Sequence, residues 1–67
     1  MKREQEVQLK KEELKKDVEE AIELGHSLFF TIALRKLITI EDILEEKSSE
    51  EYYNKKWLDK WTEYYHK

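Results

Sequence analysis

From Val7 onward, the positions Val7, Lys11, Leu14, Val18, Ala21, Gly25, Leu28 and Ile32 step alternately by four and three. All but Lys11 are apolar or small, which is the spacing of one helical face turned toward a neighbour. The chain has no Pro and a single Gly, so it lacks the residues that ordinarily punctuate strands and tight turns. An all-α architecture follows, over one domain spanning 1–67.

At 67 residues the domain is small for a self-sufficient core, which below roughly 70–80 residues seldom supplies more than about 3–5 kcal/mol without a staple. With no Cys, disulfides and thiolate zinc sites are excluded together. Regular helix packing and self-association remain. The first 17 residues hold no apolar core, so no secretory signal is expected there. The longest mainly apolar run, Leu24 to Leu34, is far short of the roughly 20 residues that span a bilayer. A cytoplasmic location is the expectation, with no membrane contact.

The spacing predicts helices over about 2–24, 27–47 and 49–66. In the first, Glu6 precedes Lys10 and Glu12 precedes Lys16 in the favourable i, i+4 order. Gly25 reads as the residue that ends it, with Ser27 capping the next. The competing reading keeps Gly25 helical, which yields one long N-terminal helix in a hairpin and a notch at Ala21 and Gly25. In the second helix, Phe29, Ile32, Ala33, Leu37, Ile40, Ile43 and Leu44 share one broad face, with Lys36 interrupting it. Thr39, followed by Asp42 at the acidic position, suggests a bend or restart near 39. Ser48 with Glu51 reads as the cap of the third helix. The expected fold is a small three-helix bundle or helical hairpin.

Tyr53, Trp57, Trp61, Tyr64 and Tyr65 fall with Leu58 on one arc of the third helix, opposite its charged side. Tyr53, Trp57, Trp61, Tyr64 and Phe29 are therefore expected in the core. Such rings also stack on nucleic-acid bases, but that use needs a basic groove. Residues 47–67 carry five Lys against four acids, and the whole chain has a net charge of −3. No nucleic-acid partner is expected.

Candidates for chemistry are few. Glu23 and His26, and Glu63 and His66, repeat the Glu-x-x-His spacing by which helical bundles hold di-iron centres. Glu63 and His66 lie on the polar side of their helix, and Glu23 points away from the apolar stripe. No metal and no cofactor is expected. Ser27, Ser48 and Ser49 are better explained as caps than as nucleophiles, and every acid falls on a polar face, away from the desolvated pocket that general acid–base chemistry requires. No catalytic residue is expected, and the chain does not read as an enzyme.

Phe30, Leu34 and Ile38 lie beside the main apolar face of the second helix and exceed what two short neighbours would cover. They are the expected contact of a homodimer or of another protein partner. The function this implies is a non-catalytic interaction module: a small regulator, adaptor or antitoxin-like accessory protein. The Glu- and Lys-rich, Cys-free composition equally suits a computationally designed bundle or binder scaffold without natural function.

Overall fold

The computed structural model of the chain describes residues 2–65, with side chains over 5–62. It contains three helices, α1 (Lys2–Leu24), α2 (Ser27–Ile43) and α3 (Glu50–Tyr65), in a small all-α bundle. α1 and α2 form an antiparallel hairpin, and α3 folds back along one face of it. The Cα envelope measures 50 × 19 × 13 Å, so the molecule is a slab, with α3 covering only one side of the hairpin.

Gly25 does end α1. Its φ is +68°, a left-handed conformation that glycine adopts without the Cβ penalty. The Gly25 N–H donates to the Ile22 carbonyl at 3.2 Å and the His26 N–H to Ala21 at 3.1 Å. This double closure satisfies two carbonyls the helix would otherwise leave open. The cap of α2 differs from expectation. His26, not Ser27, precedes the helix in extended conformation, and its Nδ1 accepts the Phe29 N–H at 3.1 Å. Ser27 is already the first helical residue, its carbonyl accepting from Thr31 Oγ1.

α2 does not restart at 39 and ends at Ile43 rather than 47. The Thr39 hydroxyl donates to the Arg35 carbonyl at 3.0 Å, so it is used within the helix rather than to start a new one. The helix stops at Ile43 through the same closure as α1. Glu46 N–H donates to Glu41 O at 2.8 Å and Glu45 N–H to Asp42 O at 3.1 Å. Glu45 stands where glycine is usual, with φ +57°.

The core consists of Leu14, Val18, Ala21 and Ile22 from α1, Phe30, Ala33, Leu34 and Leu37 from α2, and Tyr53 from α3. The buried side of α2 is thus the strip through Phe30, Leu34 and Leu37. Phe30 and Leu34, expected at an exposed contact, are only 6% and 5% accessible, and Ile38 is half-buried against the same core. The reason is the placement of α3, which lies over this strip: the Trp57 ring stacks on Phe30 with centroids 4.8 Å apart. No described helix is long and apolar enough to cross a membrane.

Candidate functional site

Three features stand out: the aromatic seam beneath α3, a buried acid at the α2–α3 turn, and the uncovered face of the hairpin.

The rings expected in the core differ in burial, and Phe29 lies edge-on to His26. Tyr53 is buried, while Trp57, Trp61 and Phe29 are half-buried. Trp57 and Trp61 pack with centroids 5.9 Å apart, and Trp61 Nε1 donates to the Ile22 carbonyl at 2.8 Å. The side chain of Tyr64 lies outside the described residues. Burial holds the Tyr53 phenol in its neutral form and raises its pKa from 10.0 to about 12, with Glu19, Tyr52, Glu41 and Glu12 adding to the shift. Beside the seam runs a shallow charged groove between α1 and α3. Lys16, Glu19, Glu20, Glu23, Lys56 and Lys60 line it, with Ile22 as its apolar contribution. Lys60 pairs with Glu23 across it at 3.0 Å.

Glu41 contradicts the expectation that every acid faces solvent. It is 2% accessible, on the same side of α2 as Phe30 and Leu37. Its Oε1 accepts the Ser49 N–H at 2.9 Å and its Oε2 the Ser49 hydroxyl at 2.5 Å. The Ser49 carbonyl in turn accepts the Tyr53 N–H, so the carboxylate binds the residue from which α3 springs. The expected cap, Ser48, accepts the Glu50 N–H at 3.2 Å. Both carboxylate oxygens of Glu41 are occupied, which suits a structural tie rather than a proton-transfer group. The spacing of Glu41 from Phe30, Leu34 and Leu37 is a signal of its inward direction that the charged side chain obscures.

Nearby, the Lys11 ammonium hydrogen-bonds the Glu46 carboxylate. That bond raises the Lys11 pKa above its ordinary value, against some desolvation. It lowers the pKa of Glu46, assisted by Gln8. This pair fastens α1 to the turn after α2.

Among the described residues no group of three or more His, Cys, Asp and Glu is arranged to hold a metal ion. His26 is occupied as a cap, and Glu63 with His66 lies outside the described side chains.

The uncovered face lies opposite α3. Lys10 and Leu14 of α1 with Lys36, Thr39 and Ile40 of α2 line an open groove of about 300 Å³. Leu28 and Ile32 continue the α2 wall, since Leu28, Ile32 and Lys36 follow one another at i+4 spacing. Asp17 and Leu24 continue the α1 wall at seven-residue steps from Lys10. Leu24 is 66%, Leu28 65% and Ile32 45% accessible, and Ile43 is exposed at the far end. This strip contains Ile32, Ile40 and Ile43 of the broad apolar face that the spacing marks on the second helix. Of that face, Ala33 and Leu37 are buried, and Phe29 and Ile40 pack partly against the core. Comparison with protein-family models, curated proteins and solved structures finds no match, so function must be argued from these residues.

Proposed function

We propose that this protein is a non-catalytic protein–protein interaction module, a small adaptor or regulator acting in the cytoplasm through the open face of its α1–α2 hairpin. One observation carries the reading: Leu28 and Ile32 stand largely exposed on the same helical strip, in a chain whose residues are 43% charged. Polar side chains dominate the rest of the surface, so apolar groups grouped at helical spacing favour a partner that removes them from water. Covering such side chains contributes roughly 25 cal/mol per Å² of apolar surface. A helical partner fits the shape, because a groove between two antiparallel helices receives the ridge of a third. The internal hydrogen bonding of Glu41 and the capping role of His26 support a scaffold rather than a reactive centre.

Capture from extracts of the source cells tests this reading. Immobilised wild-type protein is expected to retain a species that a folded Leu28→Ser/Ile32→Ser variant releases. Equal capture by both, with matching helical circular dichroism, would remove the open face from any binding role.

A further inference from the structure

The geometry points to a second copy of this chain as the occupant of the open face, in a two-fold dimer whose axis runs parallel to the helices. The inference rests on the interaction reading above and names its partner.

The turn at Gly25–His26 sets the levels along the hairpin. Each α1 residue stands beside the α2 residue about equally far past the turn, as the shared groove of Lys10 and Leu14 with Lys36, Thr39 and Ile40 shows. A two-fold axis parallel to the helices lays α1 of one copy over α2 of its partner without changing those levels. Leu24 then meets the level of Leu28 in the other copy, and Leu14, at the floor of the groove, that of Ile40. Apolar groups face apolar groups along the groove, and antiparallel helices packed in this way form a four-helix core.

The charges on the same face agree with this arrangement. Asp17 comes to the level of Lys36 in the other copy, and Lys36 lines the groove itself. Among the described residues Asp17 and Lys36 have no ion-pair partner within the chain. Asp17 is already half-buried, so a cation arriving opposite it would act in a partly desolvated setting. The other face-to-face two-fold, with its axis across the helices, reverses the levels. With the two grooves in full overlap it places α2 on α2 with Lys36 near the Lys36 of the other copy, which sets like charges together. Complementary charge therefore selects the axis along the helices, in the way charged positions select register in helical assemblies.

Sedimentation equilibrium at micromolar to sub-millimolar concentration tests the proposal through a charge exchange. Wild-type protein is expected at twice the chain mass of 8.3 kDa. Asp17→Lys and Lys36→Asp should each weaken the dimer about tenfold or more, since symmetry places each unfavourable contact in the interface twice. The double variant Asp17→Lys/Lys36→Asp should restore it, which a merely structural role for either residue would not do. Circular dichroism of each variant is expected to show the helices intact, since Lys36 is exposed and Asp17 only half-buried. A dimer indifferent to Lys36→Asp, or one not restored by the double variant, would overturn the arrangement. A monomeric wild-type protein would overturn the dimer itself. If that monomer still captures a species that Leu28→Ser/Ile32→Ser releases, the interaction reading survives without the second copy; if it captures none, both fail.

Discussion

Trp61 and Gly25 occupy each other's space. A Cβ placed on Gly25 would lie 2.7 Å from Cη2 and Cζ2 of the Trp61 ring, while Trp61 Nε1 donates to the Ile22 carbonyl three residues before the glycine. The only glycine of the chain thus serves two ends: a left-handed φ that turns α1 into α2, and a bare backbone on which the indole of α3 rests. The helix ends at Gly25, against the reading that keeps this residue helical, and the bare backbone still admits the ring.

Gly25→Ala is accordingly expected to destabilise the protein by more than about 1 kcal/mol, from backbone strain together with the displaced indole. Chemical denaturation measures the loss. In a Trp61→Ala background the same substitution should cost less, because only the strain remains. A double-mutant cycle reads the difference as coupling between the two residues. Additive effects would show that the ring does not depend on the bare glycine.

Glu45 has the opposite prospect. It holds φ +57° at the closure of α2, where a side chain is strained. Glu45→Gly should stabilise the protein by about 0.5–1 kcal/mol, the relief of strain exceeding the entropy glycine adds to the unfolded chain. A raised urea midpoint with unchanged slope is the expected signature.

The tie between Glu41 and Ser49 predicts a non-additive pair. Ser49→Ala removes the hydroxyl donor from a buried carboxylate and should cost about 1–3 kcal/mol. Adding Glu41→Leu should recover part of that loss, because the charge no longer needs a partner in the interior. If the double variant is less stable than the sum of the two singles, the tie does not have this character.

Tyr53 sets an alkaline limit. Its phenol has a pKa of about 12 in the folded chain against the ordinary value of 10.0. The unfolded chain therefore loses this proton first as pH rises. The contribution to stability is complete below pH 10 and falls between 10 and 12. The Lys11–Glu46 pair weakens in the same direction at high pH, so comparison with Tyr53→Phe isolates the phenol. Thermal melts at stepped pH should show a shallower alkaline decline in that variant.

The covered face of the hairpin accounts for most of what differs from the sequence reading. Helix content, the breaks near Gly25 and Ser48, and the inward direction of Val18, Ala21 and Tyr53 are legible locally, because a helix imposes its period on whatever side chains it carries. The early end of α2 is not: Glu45 and Glu46 are ordinary helix residues, and only a left-handed φ at a position without glycine stops the helix. Glu41 was hidden for a related reason, since a carboxylate reads as solvent-facing until the donor that satisfies it is known. That donor, Ser49, lies beyond the turn.

Residues 29–44 present more apolar arc than one neighbour covers, and periodicity alone cannot say which part of the arc receives the third helix. Phe30, Leu34 and Ile38 were the apparent surplus, yet α3 covers them and leaves Leu28, Ile32 and Ile43 outside. The sequence by itself determined that the chain is helical and where its faces lie, because local spacing and the scarcity of turn residues act within a few residues of one another. Which face is buried was decided only by the tertiary structure. It depends on where the short turn at 44–49 sends the aromatic helix, and on the close contact of Trp61 with Gly25 that seats it there.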